Sequence, residues 1–370
     1  MGAGTQSLGQ LLFIGLEETA WTASCDRLLR RYQPGGVILT ERNLRNPERT
    51  AEMLARIAST LDVVPFLAIE EEGGAVDPLW AFFPPLPSPQ RVAAKGPEAV
   101  ERLGSLVGEA CALLGFNLNF APRLDLANAS AKLPLEPQSF VANARSVAQC
   151  GQAFVTGLRR HRMLACGKHF PGSGSAQFSA DRLMLLVDKP MAELWREDLL
   201  PFRQLLPQLA MVKLSSATYK AYDFDLAIQA WLSRNVIEGL LRVKLDYAGV
   251  AVGADLFGAM MELERAHSSS GSGEAQAVGL NPEGFAKSVM AGCDMPTVCW
   301  GGRFLEMAVA ALTKALDAGT LSTRRVDEAL KRIRRAKRGL HLPKGKFSKR
   351  DFDRLCREFE DFTKACGAKE

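Results

Sequence analysis

Eight short apolar runs, each separated from the next by a stretch of helical spacing, constrain this chain more than any other feature. They are LLFIGL near residue 11, GVILT near 36, PFLAIE near 65, FNLNFAP near 116, RMLACGKHF near 162, AMVKLSS near 210, YAGVAVGADL near 247 and GCDMPTV near 292. A continuous apolar run suits a strand covered on both faces, the condition of a parallel sheet. The intervening segments, such as ERTAEMLARIASTL and SRNVIEGLLRVKL, carry apolar residues at helical intervals. Eight such alternations are the number that closes a (β/α)8 barrel, and about 340 residues accommodate one with long loops. A doubly wound open sheet is the structural rival. No G-x-G-x-x-G follows the first run, which counts against its dinucleotide-binding form.

The expected architecture is therefore a single α/β domain, a TIM-type (β/α)8 barrel over residues 1–343, with an extra C-terminal amphipathic helix over 344–370. In that helix Ser348 is the expected N-cap, and Phe352, Leu355, Phe359, Phe362 and Cys366 share one face. Such a face packs on the barrel or on a second subunit, so a homodimer or protein partner through this helix is one expectation. The segment 264–279, ERAHSSSGSGEAQAVG, reads as a loop.

Composition removes several function classes. The 46 basic and 41 acidic residues leave a net charge of +5, too balanced to imply nucleic acid or an anionic membrane. The basic segment STRRVDEALKRIRRAKRGL has no interleaved aromatics for base stacking. It reads as a surface helix with Val326, Leu330 and Ile333 inward and its cations in water. The eight cysteines form no C-x-x-C pair, and none of the four histidines lies near such a pair. Buried free thiols are expected, with no metal and no cofactor. The apolar run near the N-terminus spans about six residues and follows no basic segment, unlike a signal peptide or membrane span. The expectation is a cytoplasmic protein without membrane insertion.

In a barrel of this kind, chemistry gathers where the strands end. Reading those ends gives Glu70, Glu71 and Glu72 on strand three, Asp125 after strand four, and Lys168 and His169 on strand five. Lys213, Ser215 and Ser216 follow on strand six, Asp255 on strand seven and Asp294 on strand eight. Carboxylates, lysine and histidine converging on one rim suit a polyhydroxylated ligand such as a sugar.

These residues carry a resemblance. The segments GGVILTERNLRNPERTAEMLARI, FLAIEEEGGAV, GFNLNFAPRLDL, GKHFPGSG, LPFRQLL, GLLRVKLDYAGVAVGADL and AGCDM fall in the order of the N-terminal-type barrel of glycoside hydrolase family 3. The chain most resembles the single-domain bacterial β-N-acetylglucosaminidases that trim recycled cell-wall fragments, over about residues 8–340. The resemblance implies a strand-seven aspartate as nucleophile and a histidine on the strand-five loop as acid/base, held by an aspartate two residues before it. It also implies that Lys168 and His169 hydrogen-bond sugar hydroxyls, with Glu70 and Asp125 among the substrate-binding groups.

The chain departs from that pattern at the chemistry. The S-D-[DA]-L of the family aligns with Gly253-Ala254-Asp255-Leu256, which puts Ala254 at the nucleophile position. D-S-H aligns with Ser179-Ala180-Asp181, which puts Asp181 at the acid/base position. The two arginines that the family pattern carries become Ala75 and Gln138, and the aspartate of its IDQEGG becomes Glu70. No catalytic group stands where it is expected; Asp181 and Asp255 are the fallback candidates, with Glu71, Glu72 or the loop residue His267 as weaker ones. Strand alternation predicts that Asp255 points away from the side that Ala254 faces. Two readings follow. The first is a catalytically impaired homologue that binds a sugar or cell-wall fragment, or serves as a scaffold or regulator. The second is an active β-glycosidase, similar to a β-N-acetylhexosaminidase, with a rebuilt site.

Overall fold

The structure, a computed structural model, describes residues 7–126, 139–141, 143–179, 184–224, 228–255, 282–299, 301–340 and 347–367. Asp181, Gln138 and His267 lie outside the described residues.

Each of the eight apolar runs contributes one strand to a closed barrel. The strands are β1 (Phe13–Gly15), β2 (Gly36–Ile38), β3 (Phe66–Ile69), β4 (Leu118–Asn119), β5 (Leu164–Phe170), β6 (Met211–Leu214), β7 (Val250–Asp255) and β8 (Met295–Val298). Each pairs in parallel with the next, and β8 closes on β1 with Phe13 opposite Thr297. Phe13 of β1 meets Phe66 of β3 at 5.7 Å between ring centroids and Phe120, just beyond β4, at 5.2 Å. Because β1 and β4 are not neighbours, these rings meet across the barrel interior and fill it. Gly36 of β2 leaves the space they need: a Cβ there would lie 2.2 Å from the Phe13 ring.

Outside the barrel, helices Pro97–Leu114 and Ala144–Arg160 approach closely enough that Gly104 and Gly157 admit no side chain. A Cβ on either would fall 2.3 Å from a backbone carbonyl oxygen of the other helix. Beside the strand ends, Gln177–Ser179, Met184–Val187 and Thr218–Tyr219 form a small three-stranded sheet. It anchors the loop that leaves β5.

The C-terminal helix, Lys349–Ala365, is capped by Ser348, whose Oγ accepts from the Asp351 amide at 3.2 Å. Its face of Phe352, Leu355, Phe359 and Phe362 is buried against the chain's own barrel. The Phe83 ring lies 4.9 Å from Phe352 and 4.8 Å from Phe359. The chain's own barrel covers this face.

Two expectations need correction. In helix Thr323–Lys337 the residues Val326, Leu330 and Ile333 are buried as anticipated, but not every cation is in water. Arg325 and Arg332 turn inward to Asp294 at 2.7 and 3.1 Å, where Arg242 from helix Asn235–Lys244 joins them at 2.6 Å. Asp294, in turn, does not end a strand. It precedes β8, because Gly292 closes helix Glu283–Ala291 with φ 116° and the strand starts only at Met295. Asp294 therefore sits at the end of the barrel opposite the other candidate residues. No helix among the described residues is long and apolar enough to cross a membrane. All eight cysteines are free thiols.

Candidate functional site

The rim begins at β3, whose last residue, Ile69, is followed by three glutamates with three different environments. Glu71 turns into the protein. It is fully buried, and its carboxyl accepts from the amides of Gly73 at 2.9 Å and Leu79 at 3.1 Å. Burial and the neighbouring Asp77 push its pKa well above the usual carboxylate range, and burial raises Asp77 to about 6. Asp77 accepts from the Leu86 amide at 2.7 Å. These contacts shape the loop after β3. Gly73 and Gly74, at φ 83° and 63°, make the turn, and a Cβ on either would meet the 86–88 segment within 3 Å.

Glu70 and Glu72 face Lys168. The Lys168 ammonium has no exposed surface; it lies 2.5 Å from Glu70 Oε1 and pairs with Glu72. The other Glu70 oxygen is 3.0 Å from Lys213 Nζ of β6. Burial opposes the charge on Glu70, but Lys168 and Lys213 outweigh it and hold the carboxyl well below its usual range. Glu70 is thus a fixed carboxylate that cannot give up a proton near neutral pH.

The next pair is Asp125 and His169. Asp125 accepts from the Ser173 amide at 2.7 Å and the Ser173 hydroxyl at 3.0 Å, and lies 2.8 Å from His169 Nδ1. Arg123 Nε stands 3.9 Å from both Asp125 and Glu72 and links the two clusters. Burial opposes the Asp125 charge, and His169 and Arg123 overcome it, leaving the carboxyl below its ordinary value. Burial pushes His169 below its ordinary value in spite of Asp125. The carboxylate can only accept, so the neutral ring gives it the Nδ1 proton and keeps Nε2 as an acceptor. Both β5 residues sit at a ladder irregularity. Lys168 pairs with Lys213 and Phe170 with Leu214, leaving His169 as the extra residue. The Lys168–His169 and Phe170–Pro171 peptide bonds are cis.

A cavity of about 690 Å³ opens at this end of the barrel. Glu70, Lys213 and Thr297 line its floor, and Ala75, Trp80 and Arg42 its sides. Trp80, 58% exposed, stands among the described residues that line this cavity. Lys168 is not among the residues that line this cavity, and its side chain has no exposed surface behind Glu70. Sequence reading named Lys213 as a rim residue but missed its pairing with Glu70, and it missed Arg123 altogether. The APRLD segment was read for its aspartate alone.

At β7 the ladder with β8 is irregular. Val252 pairs with Met295 and Asp255 with Thr297, so three steps on β7 face two on β8. An irregularity of this kind interrupts simple strand alternation. Ala254 itself is 8% exposed, and the Thr297 hydroxyl on the cavity floor donates to the Gly253 carbonyl at 3.0 Å. The position where the resemblance implies a nucleophile thus carries a methyl group. Among the described residues, no three His, Cys, Asp or Glu side chains group as a metal would require.

Comparison with known proteins places this geometry. Residues 5–336 match the Glycosyl hydrolase family 3 N terminal domain. A beta-hexosaminidase of Pseudomonas aeruginosa (strain UCBPP-PA14) is 30% identical over 305 residues, covering 82% of this chain and 86% of its own. One from Thioalkalivibrio sulfidiphilus is 30% identical over 301 residues, covering 79% and 81%. Among solved structures, a glycoside hydrolase family 3 beta-N-acetylglucosaminidase from Paenibacillus sp. str. FPU-7 superposes with a TM-score of 0.83 at 26% identity. That match covers 98% of this chain and 69% of that one. NagZ from Neisseria gonorrhoeae shares the fold, with a TM-score of 0.75 at 21% identity over 97% of this chain and 98% of its own.

Proposed function

The chain belongs to glycosyl hydrolase family 3, and from that premise we propose that it binds a sugar or cell-wall fragment at the barrel mouth with its retaining chemistry impaired. It would then act as a sensor, regulator or scaffold in the cytoplasm. The observation that carries this reading is Ala254. A retaining glycosidase needs a carboxylate to attack the anomeric carbon and a second group to protonate the leaving oxygen. A methyl group can do neither. The cavity supports the binding half of the proposal, since it keeps a fixed carboxylate, Glu70, and an ammonium, Lys213, on its floor. Replacement of both family arginines, by Ala75 and Gln138, argues for a ligand other than an unchanged N-acetylglucosaminide, because neither residue makes bidentate contacts as arginine does.

A second reading keeps one specific support. The β7 irregularity spans the stretch that ends at Asp255, so an active β-glycosidase with Asp255 or Asp181 in a rebuilt site is the rival.

Calorimetric titration with glucose, N-acetylglucosamine and their β-linked disaccharides tests the binding claim. Saturable binding of one of them is expected, weakened by Lys213→Ala and left nearly intact by Asp181→Asn. Absence of saturation up to roughly 10 mM, where even a few kcal/mol of affinity would register, would sink it.

A further inference from the structure

At the opposite end of the barrel lies a second cavity, of about 610 Å³, bounded by the residues that precede β6 and β7. Among the described residues that line it, Arg203, Lys244, Arg332 and Arg335 are cationic and only Asp246 is acidic. They come from helices Leu199–Leu205, Asn235–Lys244 and Thr323–Lys337, so three separate elements deliver charge of one sign to one concavity.

The neighbouring groups hold these cations in place without neutralising them. The Arg203 guanidinium lies 4.1 Å from the centroid of the Trp195 ring, and Lys244 Nζ lies 5.3 Å from it. An aromatic face attracts a cation but leaves its charge intact. Arg203 also donates to the Trp195 carbonyl at 3.2 Å, again a neutral partner. Arg332 does reach a carboxylate, Asp294, at 3.1 Å, but Asp294 already holds Arg242 and Arg325 at shorter distances. Arg325 has a second carboxylate partner in Glu328 at 3.8 Å, so two negative charges face three guanidinium groups and the wall stays positive. The remaining lining, including Leu206, Leu209 and Ala336, is apolar.

We infer that this cavity is a binding site for a small phosphate-bearing molecule with an apolar portion, separate from the barrel mouth. A phosphate dianion matches a cluster of Arg and Lys better than a single carboxylate does, since its oxygens accept from several donors at once. The concave shape and the volume suit a small molecule, whereas a nucleic acid strand wants cations spread along a groove.

Phenyl phosphate serves as the probe, with inorganic phosphate and phenol as its two halves, in calorimetric titrations of the full chain. Saturable binding of phenyl phosphate is expected, tighter than either half and weakening as salt rises. Lys244→Gln/Arg335→Gln, at two exposed positions, should weaken it by roughly tenfold or more with the unfolding temperature unchanged. Trp80→Ala, at the barrel mouth, should leave it unchanged. Absence of saturable binding would overturn the inference. Equal affinity in the double variant would do the same, as would a loss confined to the mouth variant. Binding of a single-stranded oligonucleotide in preference to phenyl phosphate would also overturn it, in favour of a nucleic-acid surface.

Discussion

Lys168 holds an ammonium with no exposed surface between Glu70 and Glu72. Removing one partner of a buried ionic cluster leaves the others uncompensated, which typically costs about 3–5 kcal/mol. Lys168→Met should therefore lower the unfolding free energy by about that amount in urea denaturation, and a loss near zero would contradict the cluster. A second prediction concerns Glu71 and Asp77. Both pKa values are raised in the fold, Asp77 to about 6, so the fold favours their protonated forms. Their contribution is complete below the unfolded values near pH 4; that of Asp77 is lost as pH rises through about 6, and that of Glu71 as pH rises through its own raised value. Asp125 and His169 have the opposite sign: their values are depressed, so their contribution is present at higher pH and lost on acidification. Asp77→Asn separates the two effects. It keeps an oxygen for the Leu86 amide and removes one titrating carboxyl. The unfolding temperature should then fall less between pH 5 and pH 8 than in the unmodified chain. An unchanged slope would refute the contribution of Asp77. Sequence reading could not separate the three successive glutamates, because their directions depend on the Gly73 amide, which the Glu71 carboxyl accepts from, and on Lys168, far along the chain, which pairs with Glu70 and Glu72.

The C-terminal helix was legible as an element. Its apolar period and Ser348 cap specify a buried face, and the structure has both. What covers that face was not legible, since periodicity says that a face is buried and not against what. Phe83, in the loop after β3, supplies the answer, and Thr363 donates to the Pro85 carbonyl of the same loop at 3.1 Å. Pro85 and Trp80 line the mouth cavity, so the helix braces one wall of the candidate site. Phe359→Ala should cost about 3–5 kcal/mol, as buried phenylalanine truncations do. It should also weaken sugar binding while far-UV circular dichroism stays unchanged. Full affinity in a destabilised variant would break the link between helix and wall. The β7 irregularity and the inward arginines of helix Thr323–Lys337 share one reason for being missed. An extra residue in a ladder, or a buried carboxylate at the far end of another element, leaves no trace in local periodicity.

The barrel as a whole was readable because parallel strands buried on both faces write themselves as continuous apolar runs, and each of the eight appears in the ladder. The sugar-hydrolase family was readable because its segments keep their order, and residues 5–336 match it. Barrel closure leans on Asp294, which ties helices Asn235–Lys244 and Thr323–Lys337 to the start of β7 through the Ala251 amide at 3.0 Å. Asp294→Ala should destabilise the fold by about 3–5 kcal/mol, far more than loss of a surface ion pair, because buried guanidinium groups lose their counter-charge. A change below about 1 kcal/mol would show that water replaces the carboxylate there. Our central proposal is that the molecule keeps the family barrel without its retaining chemistry. Its most direct test is leaving-group release from a panel of chromogenic aryl β-glycosides, including the N-acetylglucosaminide and the glucoside. The panel is run on the unmodified chain, on Ala254→Asp and on Ala254→Asp/Asp181→His. The account predicts no release above the uncatalysed rate from the unmodified chain, and release gained in a restored variant. Release by the unmodified chain that Asp255→Asn or Asp181→Asn abolishes would contradict it.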